Sequence, residues 1–508
     1  MTMQGAQALH PEDSAFRMFL ERHPAYRGTC ALDELRAHDF NRFDTQAQTY
    51  LDYTGACPYP ASLVDQHREI LLRGTFGNPH SAHAAASAST RMHQCARDDV
   101  LRFFNADPEE YRVIFTANAS GALKLIGEGY PFDEDAEFLL TADNHNSVNG
   151  IREHAIRRGA TVRYIPSAPG SLRVEDISGH LAASGARGNR LLAYPAQSNF
   201  SGTQHPLEWI AVAQDAGYEV LLDAAAFVPT NRLDLTRVRP DFVVLSFYKM
   251  FGYPTGIGAL IARAAALRRL MRPCFSGGTV KIVSTLLQSH ALRDDEAAFE
   301  DGTVNYLGFP AVSTGLDFLS TLGIETIHRR VAILTGHLLE HLRGLRHSTG
   351  RAAIELYGDP DTASRGGIVA FNVRDPEGVY LDYEAVENLA AGSGIALRSG
   401  CFCNPGAGEA ALSHSPTLIA ECLRLSGQTL DLARYRTCVN SSGKSMRALR
   451  ASLGMASNFS DVHRLLEFLD TLLDRLAAEI NSQSAFNSSR EIPATSRTGV
   501  PAPVDDIY

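Results

Sequence analysis

Residues 218–262 read YEVLLDAAAFVPTNRLDLTRVRPDFVVLSFYKMFGYPTGIGALIA. Three almost uninterrupted apolar runs occur in this stretch, and runs of this length between turn residues are typical of β-strands buried on both faces. The first run reaches Asp223, and Lys249 follows the second. In an open parallel sheet, ligands bind beyond the carboxyl ends of the strands. The stretch therefore predicts neighbouring strands that present an acid and an amine at one edge of a sheet.

Four further apolar runs of the same kind precede this stretch, and helical patterns separate most of them. This alternation predicts an α/β fold with a mostly parallel seven-stranded sheet, covered by helices on both faces. The predicted strands lie at 112–118, 137–143, 161–166, 190–197, 218–227, 241–248 and 256–262.

The sequence also suggests how the rest of the chain is organised. Residues 1–48 predict an N-terminal helical segment, and the large domain is expected at 49–330. A long helical stretch near 308–346 leads into short strands between helices, so we expect a smaller α+β domain at 331–480. Residues 481–508 are rich in Ser, Pro and Asn, which predicts a disordered tail.

The composition excludes several functional classes. The 508 residues are 44% hydrophobic and carry a formal net charge of −10, so no basic excess favours nucleic acid or an anionic membrane. No apolar run reaches the roughly 18 residues of a membrane span, and the N-terminus lacks the pattern of a signal peptide. The eight cysteines are scattered along the chain. We therefore expect a cytoplasmic protein with reduced thiols.

Lys249 is one of four lysines among 47 basic residues, the others being Lys124, Lys281 and Lys444. Lysines that persist in so arginine-rich a chain are enriched at positions that need an amine. A lysine at a strand end, followed by the glycine-rich FGYPTGIG, can hold a carbonyl cofactor as a Schiff base. Asp223 could pair with a protonated pyridine nitrogen. The alternatives are a solvated lysine and an aspartate that caps the next helix.

Other polar residues follow the predicted strands. Ala119 and Ser120 open a helix after VIFTAN, where backbone N–H groups and a hydroxyl can bind a phosphate. Ser246, three residues before Lys249, could add a second hydroxyl. His145 follows another strand and could stack on a flat ring and move protons. Ordinary roles stay open here, since serine is also a common helix cap and a lone histidine is more often structural.

The segment RSGCFCNPG (398–406) carries the thiols of Cys401 and Cys403, and its Gly and Pro residues predict a loop. Cys-x-Cys can be half of a metal site, but no second Cys or His pair stands at zinc-finger spacing, so we expect no metal. A reactive thiol is the better interpretation, and Arg398 could lower its pKa. Arg450 could pair with a carboxylate, although an arginine in this chain is a weak signal.

Together these stretches resemble the class V aminotransferase superfamily, especially its cysteine desulfurases, and most closely the N-terminal desulfurase part of the molybdenum cofactor sulfurases. The similarity extends from about residue 16 to 480, and SFYK and GCFCNPG are its most specific segments. Tyr248 stands where the superfamily often has His. The molybdenum cofactor sulfurases also have Tyr at this position. The matching stretches are ALDEL (31–35), YLDYTGA (50–56), FGNPHS (76–81), DNHNSV (143–148), LLDAAAFV (221–228), SFYKMFGYPTGIGAL (246–260), SGGTV (276–280), FEDGTVNY (299–306) and RSGCFCNPGA (398–407).

The resemblance implies a fold type I enzyme that depends on pyridoxal 5'-phosphate (PLP). Such an enzyme converts L-cysteine to L-alanine and passes the sulfur, held as a persulfide, to an acceptor that the sequence does not identify. Lys249 would form the Schiff base, Asp223 would pair with the ring nitrogen, and His145 would stack on the ring. Cys403, rather than Cys401, would carry the persulfide. The implied phosphate site is Ala119, Ser120, Ser246 and, from the other subunit of a homodimer, Thr303, and the implied substrate site is Asn199, Arg450 and Arg398.

Two other interpretations stay open. An aminotransferase or C–S lyase of the same fold would act without a persulfide, and its activity would survive loss of Cys403. A scaffold that binds a sulfur-carrier partner would need no cofactor.

Overall fold

The computed structural model describes residues 14–488, except 80, 169–171, 175 and 428. Its first elements are helices, followed by a two-residue strand that leads into the large domain. They are α1 (Ser14–Arg22), a 3-10 turn (Pro24–Thr29), α2 (Ala31–Asp39), α3 (Arg42–Thr45) and β1 (Thr49–Tyr50).

A seven-stranded sheet forms the centre of the large domain. Its strands are β2 (Tyr111–Thr116), β3 (Glu137–Thr141), β4 (Thr161–Ile165), β5 (Arg190–Pro195), β6 (Glu219–Asp223), β7 (Phe242–Ser246) and β8 (Gly258–Arg263). The strand order is β2-β8-β7-β6-β5-β3-β4. Strand β8 runs antiparallel to both of its neighbours, and all other pairs are parallel. The prediction of a mostly parallel seven-stranded sheet is confirmed.

Helices cover both faces of this sheet, which explains why its strands are apolar without alternation. Val220 and Leu222 of β6 pack into one buried cluster, and Leu221 between them packs into the other. Successive side chains of a strand point to opposite faces, so each strand needs apolar residues at both kinds of position. The helices are α4 (Ala61–Arg73), α5 (Ala84–Phe103), α6 (Ala119–Gly129), α7 (Asn146–Asn149), α8 (Ile151–Arg157), α9 (Ser178–Ala182), α10 (Trp209–Asp215), α11 (Phe247–Phe251) and α12 (Ala264–Leu267).

An exposed hairpin and two long helices connect this domain to the smaller one. The hairpin strands are antiparallel, and 3-10 turns precede and follow them. The predicted helical stretch at 308–346 is two helices, because Gly323 adopts a left-handed φ of 77° between them. The elements are a 3-10 turn (Gly277–Thr279), β9 (Val280–Ser284), β10 (Ser289–Leu292), a second 3-10 turn (Glu296–Phe299), α13 (Phe309–Leu322) and α14 (Ile324–Gly344).

The smaller domain is built on a four-stranded antiparallel sheet. Its strands are β11 (Ile354–Tyr357), β12 (Ile368–Val373), β14 (Arg398–Gly400) and β15 (Ala448–Ser452), in the order β11-β12-β15-β14. Strand β13 (Ile395–Ala396) instead pairs in parallel with β1. The other elements are a 3-10 turn (Thr362–Ser364), α15 (Tyr383–Gly392), α16 (Pro405–Ala411), α17 (Pro416–Leu425), α18 (Leu432–Ser441), α19 (Phe459–Asp470) and α20 (Ala477–Ser488).

The expectation of reduced thiols is wrong for one pair of cysteines. Cys422 of α17 and Cys438 of α18 form a disulfide, because the helical hairpin brings their Cα atoms to 5.5 Å. Their separation of 16 residues matches no motif that sequence reasoning could use. The other six cysteines are free.

Two of the domain boundaries expected from the sequence fall within continuous helices. The division at 330/331 falls inside α14, and α20 extends to Ser488, into the predicted tail. Residues 489–508 lie outside the described residues. None of the helices in the described part combines the length and the apolar composition needed to cross a bilayer.

Candidate active site

The carboxyl ends of the central strands border a cavity of about 120 Å³. Lys249, Asp223 and His145 line this cavity. Other residues predicted to bind ligands line it as well, namely Ala119, Ser120, Ser246 and Asn199. Sequence reasoning missed three polar residues of the lining, Asn118, Ser147 and Gln197, which lie within three residues of predicted ones.

Lys249 lies in α11, directly after β7, and its Nζ makes no hydrogen bond to any described residue. Burial lowers the pKa of Lys249, and the Arg450 cation lowers it further, whereas Asp223 and Cys403 raise it. The Asp223 carboxylate lies at the end of β6 and accepts a hydrogen bond of 3.0 Å from Ala225 N. A half-buried amine of lowered pKa that has no hydrogen-bond partner can react as a nucleophile.

The N-terminus of α6 brings further donors to the cavity. Asn118 caps this helix with its side chain, and Ala119 N donates to Ser246 Oγ over 2.9 Å. The Ser120 and Ser147 hydroxyls lie 2.6 Å apart. Hydroxyls grouped at the positive end of a helix dipole are suited to a phosphate.

His145 is held by the backbone that follows it. Ser147 N donates to His145 Nδ1 over 3.1 Å. A backbone N–H can only donate, so Nδ1 must accept, and the neutral ring then carries its proton on Nε2. Burial lowers the pKa of His145, and Lys249 lowers it further, which favours this neutral form. Nε2–H is therefore the group that His145 can offer to a ligand.

The loop with the two predicted thiols lies beside this site. Cys403 is exposed, and a thiolate at this position would raise the pKa of both Lys249 and Arg450. Cys401 is also exposed and lies next to Gly408 of α16. Phe402 and Cys403 have left-handed φ angles of 55° and 54°, which is a costly conformation for residues with a Cβ.

Asn199 connects the cavity to this loop. Its Nδ2 donates to Phe402 O over 2.7 Å, and its Oδ1 accepts from Asn404 Nδ2 over 2.9 Å. The side chain predicted to bind substrate is thus already bonded to the loop. Nδ2 carries a second hydrogen, which can still be offered to a ligand.

Arg450 is buried in β15, with 2% of its surface exposed. It donates through Nη1 to Asn199 O and through Nη2 to Asp52 Oδ1, both over 2.9 Å, and its buried Nε has no partner in the described structure. Burial lowers the pKa of Arg450 to about 10. An arginine with an unpaired N–H is suited to bind a carboxylate.

Asp52 was missed as a site residue, although it lies in the matching stretch YLDYTGA. Its second oxygen accepts from Nε and Nη2 of Arg398 over 2.9 and 2.6 Å, so the carboxylate bridges Arg398 and Arg450. Arg398 thus forms an ion pair with Asp52, and its predicted effect on the thiol stays a prediction. The only sequence signal for a role of Asp52 in the site was that this acid closely follows the very short strand β1.

Thr303 is not part of the Lys249 cavity of its own chain. It lines a separate cavity of about 400 Å³, together with Thr116, Lys124 and Arg272. Within one chain, Thr303 and the other residues of the predicted phosphate site thus line different cavities.

The residues of the Lys249 cavity fit PLP. The unpaired amine suits an aldehyde, the buried Asp223 carboxylate suits a protonated pyridine nitrogen, and the hydroxyls at α6 suit a phosphate. The unpaired Nε of Arg450 suits the carboxylate of an amino acid.

Comparison with known proteins agrees with this geometry. The aminotransferase class-V family model matches residues 49–465. The molybdenum cofactor sulfurase of Solanum lycopersicum is 34% identical over 498 residues, which cover 90% of this chain and 60% of that protein. The sulfurase of Arabidopsis thaliana is 35% identical over 483 residues, which cover 86% and 58%. The chain thus spans about three fifths of the length of these relatives.

Solved structures show the same fold. An apo cysteine desulfurase from Thermococcus onnurineus NA1 superposes with a TM-score of 0.71 at 23% identity, covering 87% of this chain and 98% of that one. The cysteine desulfurase CsdA from Escherichia coli gives a TM-score of 0.67 at 21% identity, covering 88% and 98%. The α/β architecture of fold type I, expected from the sequence, is therefore confirmed.

Proposed function

Because the chain belongs to the aminotransferase class-V family, we propose that it is a PLP-dependent cysteine desulfurase that forms a persulfide on Cys403. One observation carries this proposal. A half-buried lysine without a hydrogen-bond partner among the described residues lines the cavity, and the loop that carries the Cys403 thiol is bonded to the edge of this cavity through Asn199 and Asn146. An aminotransferase needs the lysine but not the thiol, so the pairing favours sulfur transfer.

Each end of PLP would meet a different part of the cavity. Lys249 would hold the aldehyde carbon, Asp223 the ring nitrogen, and Ala119, Ser120 and Ser246 the phosphate. His145 would lie on the ring and offer Nε2–H. When bound, PLP supplies an electron sink that weakens bonds at Cα and Cβ of the substrate.

The chain's own residues would bind the substrate and move its protons. Arg450 and the second hydrogen of Asn199 Nδ2 would hold the L-cysteine carboxylate, with Asp52 and Arg398 keeping the Arg450 guanidinium in place. The neutral amine of Lys249 would accept the Cα proton, because burial disfavours its charged form.

Sulfur transfer balances without an added oxidant or reductant. The Cys403 thiolate bonds to the substrate Sγ while the Cβ–Sγ bond breaks, and the electron pair of that bond stays with Cβ. Cβ then takes up a proton and becomes the methyl group of L-alanine. L-Cysteine and the Cys403 thiol thus give L-alanine and a Cys403 persulfide, whose outer sulfur passes to an acceptor.

A homodimer and a cytoplasmic location complete the proposal. Thr303 would reach the phosphate in the neighbouring subunit, since it lies outside the Lys249 cavity of its own chain. The Cys422–Cys438 pair is a disulfide, which is rare in the reducing cytoplasm, so the location needs a direct test. Fractionation of cells should recover the protein in the cytoplasmic fraction.

The decisive experiment compares the two loop thiols. The holoenzyme is given L-cysteine, and alanine and the protein persulfide are measured by mass spectrometry. Cys403→Ser should keep the absorbance of bound PLP but form alanine about a hundredfold more slowly, because the attacking nucleophile is lost. Cys401→Ser is the matched control and should keep most alanine formation.

Two other outcomes would change the conclusion. If alanine formation persists in Cys403→Ser and disappears in Cys401→Ser, the assignment of the two thiols is reversed. If it persists in both variants, the persulfide step is wrong, and a C–S lyase or aminotransferase is the better description.

A further inference from the structure

The backbone around Cys403 is fixed on both sides of the thiol. Asn199 Nδ2 holds the carbonyl of Phe402, and Asn146 N donates to the carbonyl of Cys403 over 2.6 Å. Asn146 follows His145, and Asn199 lines the cavity. The two peptide groups that flank the thiol are thus bonded to the same edge of the sheet that carries the candidate catalytic residues.

Asn404, the next residue, is fully buried and uses its whole side-chain amide. Nδ2 donates to Asp143 O over 2.7 Å and to Asn199 Oδ1 over 2.9 Å, while Oδ1 accepts from Ala407 N over 3.2 Å. The orientation of this amide is determined by its partners, because Ala407 N can only donate and Asp143 O can only accept.

The second amide is oriented in the same way. Asn199 must turn Nδ2 toward Phe402 O, which can only accept, and so it turns Oδ1 toward Asn404. A chain of hydrogen bonds therefore runs from Asn404 through Asn199 to the peptide group that precedes Cys403. This chain can hold Phe402 and Cys403 in their left-handed conformations, which would be unfavourable in a free loop.

We propose that Asn404 is a positioning residue: together with Asn199 it forms an amide clamp that keeps the Cys403 thiol in place at the edge of the Lys249 cavity, so that sulfur is transferred without movement of the loop. The inference rests on the proposed desulfurase function. It adds a residue that touches neither substrate nor cofactor but determines where the nucleophile stands. Displacement of a reacting group by about 1 Å can reduce a rate by about a hundredfold.

A competing explanation is that Asn404 is merely the N-cap of α16, since its Oδ1 accepts from Ala407 N. Asn404→Asp separates the two roles. Aspartate caps a helix as well as asparagine does. It cannot donate, however, so its second oxygen would face Asp143 O and Asn199 Oδ1, both of which are acceptors. The substitution keeps the cap and breaks the clamp.

The test uses the holoenzyme and three single variants. Asn404→Asp and Asn199→Ala break the clamp at different points, and Asn458→Asp makes the same chemical change at the N-cap of α19, away from the loop. Hydrogen exchange of peptides covering 399–408 is measured without substrate. Turnover of L-cysteine is then measured, with KM and the absorbance of bound PLP recorded separately.

Asn404→Asp and Asn199→Ala should raise exchange in the loop by about tenfold, as expected when a buried hydrogen bond is lost. Asn404→Asp should reduce the kcat for alanine by about tenfold to a hundredfold, with KM and PLP absorbance close to wild type. Asn458→Asp should leave loop exchange and kcat unchanged. If Asn404 had a purely structural role, Asn404→Asp would reduce the stability of the protein but would not lower kcat while leaving KM unchanged.

The clamp is wrong if Asn404→Asp and Asn199→Ala leave loop exchange at the wild-type level. Its positioning role is wrong if exchange rises while kcat does not fall. Failure of the proposed function would look different, because the wild-type enzyme itself would then form no alanine from L-cysteine, whatever the loop exchange shows.

Discussion

At the scale of single residues, burial determines the charge of the groups that would do the chemistry. Lys249 and His145 both have lowered pKa values, with burial as the largest cause. Each is therefore biased toward its neutral form, which for lysine is the form that attacks a carbonyl. The two groups also depend on each other, since the Lys249 cation lowers the pKa of His145.

The pH dependence of cofactor attachment should report the lowered pKa of Lys249. In apo-protein mixed with PLP, the rate of covalent attachment should rise with pH as the amine loses its proton, with a midpoint below the ordinary lysine value of 10.5. Asp223→Asn should move the midpoint lower, because this carboxylate favours the ammonium form. Arg450→Met should move the midpoint higher, because the Arg450 cation disfavours the ammonium form of Lys249. Absorbance after rapid mixing measures the rate, and shifts in the opposite directions would contradict the assignment.

Gly406 is required by a close approach of two backbones. A Cβ at this position would lie 2.1 Å from Ala142 O, a backbone atom that cannot turn away. Gly406→Ala should therefore reduce the free energy of unfolding by about 1–3 kcal/mol, the usual cost of overpacking. Gly392→Ala is the control, since no atom lies within 4 Å of its Cβ position in α15, and it should stabilise by about 0.5–1 kcal/mol. Urea unfolding compares them, and equal effects would contradict the expectation.

At the scale of secondary-structure elements, the sequence predicted what depends on local pattern. All seven strands of the central sheet were found, because strands buried on both faces are near-continuous apolar runs. Strand β15 was missed, since ALRAS is short and contains Arg450, yet it lies between β12 and β14 in the smaller sheet. Its burial comes from tertiary packing, which a local pattern does not record.

The docking of α2 on α19 rests on a buried ion pair. Arg36 Nη1 lies 2.6 Å from Asp461 Oδ2, and the two side chains are 5% and 3% exposed. Arg36→Ala leaves the buried carboxylate without its cation, which typically costs about 3–5 kcal/mol. Arg232→Ala is the control, because its pair with Glu325 is exposed and such pairs contribute about 0–1 kcal/mol.

The loss caused by Arg36→Ala should grow with pH. Burial already raises the pKa of Asp461, and removal of Arg36 raises it further. The folded variant then holds a proton that the unfolded chain has released above its ordinary carboxyl pKa, so stability falls as pH rises. Urea unfolding at pH 5 and pH 8 should show the larger loss at pH 8. An equal loss at both values would contradict this account.

At the scale of the whole molecule, the site depends on contacts between distant parts of the chain. Strand β1 pairs with β13, and this brings Asp52 to Arg398, 346 residues away. The cavity around Lys249 could be predicted because its residues follow individual strands. Asp52 and Asn404 could not, because their roles depend on partners that the sequence places far from them.

The position of Thr303 makes the dimer testable by mixing subunits. Lys249→Ala should be inactive and Thr303→Ala weakened, since one lacks the amine and the other a phosphate contact. In a mixed dimer, one site combines Lys249 of one chain with Thr303 of the other and is intact. Equal mixing yields half mixed dimers, each with one intact site, so these dimers should contribute about a quarter of wild-type activity. The residual activity of the Thr303→Ala homodimers adds to this quarter. Lys249→Ala mixed with Asp223→Asn is the control, because both residues line the same cavity of one chain and no intact site can form. Light scattering that shows an active monomer, or recovery that is no greater than in the control, would contradict the shared site.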